Sequence, residues 1–313
     1  MLVDGTWVGD WKPSDGDGRE GRFDRKPSRF RNWITADGRP GSTGRGDFKA
    51  EAGRYHLYAA LICPWACRTL MARKLKGLDD LISVSIVEPT LTDRGWAFAA
   101  PDPLTDASFM HEIYALADRH ANGRATVPVL WDKQRRTIVN NESADILRML
   151  DTAFATHAAP SPSLYPDHLA AEIDAFNAEI YDGLNNGVYR AGFAQSQSAY
   201  AEAYAAVFAT LGRVEARLGS HGFLFGDAPT ESDIRLFVTL IRFDAAYHGL
   251  FKCNARTVAG SPKLAAYVRR VLDVEGVRET VDIDHIKRGY YSIKALNPGS
   301  IVPQGPDLSF FGL

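Results

Sequence analysis

The chain has 313 residues, 45% apolar and 24% charged, enough to bury a sizeable core and to form about two domains. Its net charge of −2 leaves no electrostatic footprint for nucleic acid or an anionic membrane surface. Three cysteines do not make a disulfide framework, no apolar run approaches the ~18 residues of a membrane span, and no apolar leader opens the chain; the expectation is a soluble, cytoplasmic protein with reduced thiols.

Residues 1–50 read as an irregular N-terminal arm, rich in Gly, Asp, Arg and Pro, ordered by packing Trp7, Trp11, Phe23, Phe30 and Trp33 elsewhere. Its Arg-rich run from Gly18 to Trp33 is interrupted by acids and reads as a segment lying along the surface, not as a phosphate site. Residues 51–155 read as one α/β domain. In it "RYHLYAAL" has strand composition, and "PWACRTLMARKLKGL" has helical spacing with Ala66, Leu70, Ala72 and Leu75 inward. "LISVSIVEP" reads as a buried strand, and a helix follows from about Ser108 to Arg119. "TVPVLWD" and "RTIVN" are short strands around a turn, and "NESADILRMLDTAF" is a helix that Asn141, Glu142 or Ser143 can cap. The order β-α-β-(α)-β-β-α, with a proline starting the third strand, is that of a thioredoxin-like domain. The Pro/Ser/Ala segment "ATHAAPSPSLYP" marks a boundary. Residues 166–290 keep helical spacing and predict an all-α bundle, and 291–313 form an irregular tail.

Cys63 falls between the first strand and first helix of this order, with Pro64 at the first helical position, where a missing N–H is no loss. Its sulfur then faces unpaired backbone N–H groups and the positive end of the helix dipole, which favour the nucleophilic thiolate. The bland alternative is a small buried cysteine that only packs. Cys67 comes one turn later in a CxxxC spacing, an awkward geometry for a disulfide, and is expected to pack. Cys253 stands alone, and the His and Cys residues show no ligand spacing, so no metal is expected.

A site with one working cysteine needs an external thiol to finish its cycle, and in the cytosol that thiol is usually glutathione. Two features suit it. A cis Val127–Pro128 bond facing the cysteine loop would leave the Val127 backbone free to pair with an extended peptide. Glu142 and Ser143 place a carboxylate, a hydroxyl and backbone N–H groups at a helix start, a match for the ammonium and carboxylate of a γ-glutamyl group. Ordinary helix capping would use the same two residues.

The stretches "CPWACRTL", "TVPVLWD", "NESADILRM", "NNGVYRAGFA", "HIKRGYY" and "NPGSIVPQGP", in this order, resemble the glutathionyl-hydroquinone reductases, the Xi class of the glutathione transferases. The resemblance covers nearly the whole chain, including "RFRNWIT" and "GRYHLY"; where the family commonly has His after "CPWA", this chain has Cys67. It implies the glutathione transferase fold, with a thioredoxin-like N-terminal and an all-helical C-terminal domain, and a homodimer. It also implies a reaction in which Cys63 takes glutathione from an S-glutathionyl-hydroquinone and a second glutathione resolves the mixed disulfide. On this resemblance Tyr189 is the proton donor to the ring, while Tyr247 and Tyr290 stabilise the thiolate and line the aromatic pocket. Tyr291 is a rival for the place of Tyr290. Trp96 covers the glutathione, and Arg124 reaches its glycyl carboxylate. Three other activities compete. A conjugating transferase would want Ser or Tyr at the thiol, an Omega-type thiol transferase or dehydroascorbate reductase would keep Cys63, and a non-catalytic binding module would not use it.

Overall fold

The structure, a computed structural model of the chain, describes residues 1–9, 19–44, 46–219 and 222–312; Trp11 lies outside the described residues. Two compact units divide the chain: Met1–Trp11 with Pro27–Pro162, and Lys12–Lys26 with Ser163–Leu313.

The arm is more regular than its composition predicts. In the first unit Leu2–Val3 (β1) and Thr6–Trp7 (β2) form an antiparallel pair, and Ile34–Thr35 (β3) and Phe48–Lys49 (β4) a parallel one. The main sheet contains Tyr55–Ala59 (β5), Ile82–Ile86 (β6), Val129–Asp132 (β7) and Thr137–Asn140 (β8), in the order β6-β5-β7-β8. β5 runs parallel to β6 and antiparallel to β7, and β7 is antiparallel to β8. Every residue of β5 and of β7 is buried, as befits strands covered on both faces. Arg54 fixes the two together through Asp132, with Nη2 to Oδ2 at 2.5 Å and both side chains buried. The outer edge of β8 is covered by the arm, where Asn32 N donates to Val139 O at 3.0 Å and Asn141 N to Phe30 O at 3.1 Å. Backbone pairing at an open sheet edge, beyond aromatic packing, is what orders this segment.

Two expectations need correcting. The strand at Ile82–Ile86 is not buried throughout but forms the sheet's other edge, with Ile82 inside and Ser83 exposed. The first helix, Pro64–Leu75 (α1), buries Ala66, Leu70 and Ala72 but leaves Leu75 half-exposed. Lys76, just beyond, is the buried residue there, with Nζ 2.9 Å from Asp151 Oδ1. Asp151 lies on Ser143–Thr152 (α3), which packs against α1. The helix expected from about Ser108 to Arg119 is shorter, Met110–Ala117 (α2), with the side chain of Glu112 accepting from Phe109 N in a capping arrangement.

A polar chain runs between β5 and β6. His56 Nδ1 lies 2.7 Å from Ser83 Oγ and Nε2 3.0 Å from Ser85 Oγ, and Ser85 donates to Asp102 Oδ1 at 3.2 Å. With its one proton committed to the carboxylate, Ser85 must accept from Nε2–H, which leaves Nδ1 to accept from Ser83. The imidazole is therefore neutral, and burial pushes its pKa down to about 4, against a smaller opposing pull from Asp102 and in concert with Lys133 and Arg73.

In the second unit, described helices are Ala170–Ile180 (α4), Gly187–Gly192 (α5), Gln197–Arg217 (α6), Glu231–Arg242 (α7), Pro262–Leu272 (α8) and Ile283–Tyr291 (α9). α4 and α7 each run on into a π turn, Tyr181–Asn185 and Phe243–Tyr247. Helix α7 is the core of the unit and is buried along almost its whole length. Its start is held by Asp233, which accepts from Thr230 N at 2.8 Å, Thr230 Oγ1 at 2.9 Å, Leu224 N at 3.0 Å and Tyr267 Oη at 2.9 Å.

These buried groups make two stability predictions. A histidine with a depressed pKa contributes its full stability above the ordinary value near 6.5 and loses it as pH falls towards about 4. The difference in unfolding free energy between wild type and His56→Gln should therefore shrink by about 3 kcal/mol across that window, and a difference that stays flat with pH would contradict the assignment. Asp233→Ala strands four donors in the interior and should destabilise the protein by roughly 3 kcal/mol or more. Asp233→Asn, which keeps one oxygen acceptor, should lose less in the same denaturant titration.

Candidate active site

Helix α1 begins where the sequence places it. Cys63 is the N-cap residue, extended at φ −78° and ψ 117°, and Pro64 occupies the first turn. The half-buried Cys63 thiol points at the carbonyl of Val127, with Sγ to O at 3.6 Å. The Val127–Pro128 bond is cis. Cys67 is buried one turn on, its Sγ 3.3 Å from Leu61 O, and none of the three cysteines is in a disulfide. Cys253 is fully buried, and burial pushes its thiol up to about 12, which makes it inert at neutral pH. Trp65 is half-buried under the Arg68 guanidinium, 4.3 Å from the ring centre.

The start of α3 is built from the run Asn140 to Ser143. Asn140 Oδ1 accepts from Glu142 N at 2.6 Å, and Glu142 caps α3 by accepting from Ala144 N at 3.3 Å. The other carboxylate oxygen of Glu142 accepts from Ser28 Oγ at 2.9 Å. Ser143 is buried and its hydroxyl has no hydrogen-bond partner among the described residues, an uncompensated polar group of the kind that calls for an explanation. A buried link holds this helix start to the segment before β7: Asn141 Nδ2 donates to Tyr114 Oη at 3.0 Å, and Tyr114 donates to Thr126 O at 3.0 Å. Trp96 is half-buried on the connection into α2, where its carbonyl accepts from Met110 N at 2.9 Å. Arg124 is exposed, three positions before Val127.

In the second unit three tyrosine hydroxyls form a chain. Tyr290 Oη lies 2.6 Å from Tyr189 Oη and 2.8 Å from Tyr247 Oη. Tyr291, half-buried, is not part of it. Each hydroxyl carries one proton, so Tyr290 can donate to only one of its neighbours. Tyr247 is fully buried, and its hydroxyl interacts with those of both Tyr290 and Tyr189. The three hydroxyls form one closed network, and half-exposed Tyr189 is its member nearest solvent. Burial, reinforced by the neighbouring Tyr189, holds Tyr247 and Tyr290 well above the ordinary tyrosine range, so both stay protonated donors. The three tyrosines that the resemblance singles out are brought together in a single connected network. Its rings also pack as an aromatic cluster with Phe251 and Phe193. Among the described residues no group of His, Cys, Asp and Glu is arranged to hold a metal, and no helix is long and apolar enough to cross a membrane.

Residues 62–153 match the model of the glutathione S-transferase N-terminal domain, and 197–270 that of the C-terminal domain. The glutathionyl-hydroquinone reductase YqjG of Escherichia coli K12 is 49% identical, over 98% of this chain and 95% of its own length. PcpF of Sphingobium chlorophenolicum, named for the same activity, is 44% identical over 100% and 98%. The chain belongs to the glutathionyl-hydroquinone reductases, the Xi class of glutathione transferases. The glutathione-bound structure of YqjG matches with a TM-score of 0.90, covering 99% of this chain and 96% of that one. The Xi transferase of Phanerochaete chrysosporium matches at 0.87, with 44% identity over 92% and 94%.

For this reductase, sequence reading found the cysteine, the cis proline and the helix start of α3, but missed Ser28 on Glu142 and Arg25 beside Tyr189. Both lie in the arm, whose irregular sequence carries no periodic signal; only the run of arginines hinted that it had something to pair with.

The hydroxyl chain makes a non-additive prediction. Tyr290→Phe removes the hydroxyl that meets both of the others and should cost about 1–3 kcal/mol. The Tyr247→Phe, Tyr290→Phe double variant should lose less stability to urea than the sum of the two single variants, because they share one network. Simple additivity would break the network assignment.

Proposed function

We propose that the enzyme reduces S-glutathionyl-hydroquinones through a mixed disulfide at Cys63, with glutathione as co-substrate. The reduction itself is the activity of the family; the assignment of steps to residues is our reading. The Cys63 thiolate attacks the thioether sulfur, and a sulfur–sulfur bond forms as the carbon–sulfur bond breaks. The electron pair goes to the ring carbon, which takes the proton of Tyr189, and the free hydroquinone departs. A second glutathione, as its thiolate, attacks the glutathionyl sulfur of the mixed disulfide, releasing oxidised glutathione and the Cys63 thiolate. The carbon leaving group is a poor anion, so the proton donor is needed in the first half and not in the second.

The observation that carries this reading is the helix start at Cys63, whose sulfur faces Val127 beside a proline-led α1. Val127 offers its backbone to the cysteinyl part of glutathione. Glu142 takes the γ-glutamyl ammonium, and the α-carboxylate takes the backbone N–H groups of α3 and the hydroxyl of Ser143 after a side-chain rotation. That the Ser143 hydroxyl has no partner among the described residues supports a site waiting for an acceptor. Trp96 covers the tripeptide, and Arg124 takes the glycyl carboxylate. Tyr247 and Tyr290 stabilise the thiolate and line the aromatic pocket, and their hydroxyls share one network with that of Tyr189. We place the enzyme in the cytoplasm, where a reducing environment keeps Cys63 a thiol, and as a homodimer on the family resemblance.

The test is mass spectrometry after mixing the protein with a glutathionyl-hydroquinone and no free glutathione. One glutathionyl adduct on Cys63, with release of hydroquinone, is expected. Cys63→Ser should give no adduct and no turnover, while Cys67→Ser should keep most of both. Equal loss in the two variants would replace this scheme with a dithiol one.

A further inference from the structure

Tyr189 does not face its surroundings alone. The arm residue Arg25 holds its guanidinium carbon 5.0 Å from the centre of the Tyr189 ring and 5.6 Å from that of Phe23. Its Nε donates to Asn186 Oδ1 at 3.1 Å, which fixes the fork to the residue at the start of α5, one turn before Tyr189. The placement is built. The segment Lys12–Lys26 belongs to the second unit, whereas the rest of the arm belongs to the first. Gln195 N donates to Gly21 O at 2.8 Å, and Ser196 Oγ to Glu20 O at 2.8 Å. Arg22 pairs with Glu202 at 2.9 Å, and Phe23 is buried with its ring 5.4 Å from that of Phe193. Gly21 has a φ of +77°, and a Cβ there would lie 3.0 Å from the backbone of Gln195 and Ser196, so the close approach requires glycine. A chain held this firmly on the approach to Arg25 presents its cation to the Tyr189 ring, with Phe23 beside it, by the way it folds.

We propose that Arg25 is a positioning residue for the reduction, holding the Tyr189 ring and favouring release of its proton to the departing ring carbon. The inference rests on the reading of Tyr189 as donor. A cation over the ring face is attracted more strongly as negative charge develops on the phenol oxygen, so its stabilisation grows towards the transition state, where it accelerates the step. The hydroxyl of Tyr290 lies 2.6 Å from the same oxygen and can donate to it as that charge develops. Arginine suits the task better than lysine because its planar fork keeps the Asn186 bond while its face covers the ring.

The half-reactions separate this role from a structural one. Arg25→Met keeps much of the side chain's bulk and removes the charge. In single turnover it should slow glutathionyl transfer to Cys63 by roughly three- to thirty-fold, the range of a cation–π contact, and leave resolution of the mixed disulfide by glutathione unchanged. Arg25→Lys should recover part of the loss. The Arg25→Met effect should shrink on chlorinated hydroquinones, whose ring carbon leaves more readily and needs less help from an acid, and it should vanish in a Tyr189→Phe background. If Tyr189→Phe transfers at the wild-type rate, the donor reading fails and this inference falls with it. If Tyr189→Phe is slow but Arg25→Met is not, or if Arg25→Met slows both half-reactions equally or lowers only the melting temperature, the inference alone is overturned.

Discussion

The chemistry of the first unit depends on one approach, the 3.6 Å between the Cys63 sulfur and the Val127 carbonyl. Two chain segments 64 residues apart must end at the same place. The sheet order β6-β5-β7-β8 accomplishes this, because β5 leads into α1 and its antiparallel neighbour β7 begins beside that junction. Both strands are fully buried, and the Arg54–Asp132 pair locks them near the far end. Sliding β7 by one residue would turn Leu130 to the other face and carry the Val127 carbonyl away from the thiol.

The second unit has a different constraint. A network of three hydroxyls can hand a proton on only if one of its members reaches beyond the dry interior. Tyr247 is fully buried, Tyr290 nearly so, and Tyr189 half-exposed. The cost of burying three phenols is offset by the two hydrogen bonds between them and by the aromatic packing around Phe251. The backbone that carries them is irregular at the places that matter. Tyr247 ends one π turn, and another precedes the short helix bearing Tyr189. Each π turn inserts an extra residue and rotates the helix beyond it, a device frequent at functional sites.

The N-terminal arm connects these two themes within each unit. Its residues near Phe30 close the β8 edge, and Ser28 holds the Glu142 carboxylate. Its segment around Arg25 is docked on the start of α6 and on the tyrosine that α5 carries. Several of its arginines find acids or rings. Arg29 pairs with Asp118, Arg31 with Asp145, and Arg22 with Glu202.

The order of elements, the catalytic candidate and the helix that presents it were legible in the sequence because each rests on local chemistry. A proline after a cysteine marks a helix start wherever it occurs, alternating apolar runs mark strands, and a Val-Pro step before a strand marks the facing loop. Tyr189, Tyr247 and Tyr290 were legible only as a family resemblance, since nothing in their spacing distinguishes them from the other tyrosines. The tertiary structure alone decided that β6 is an edge, that Lys76 is inside while Leu75 is not, and that the three hydroxyls form one network. It also decided the places of Ser28 and Arg25. Those outcomes depend on which distant residue arrives opposite, on burial and on the π turns, and no periodicity along the chain encodes them.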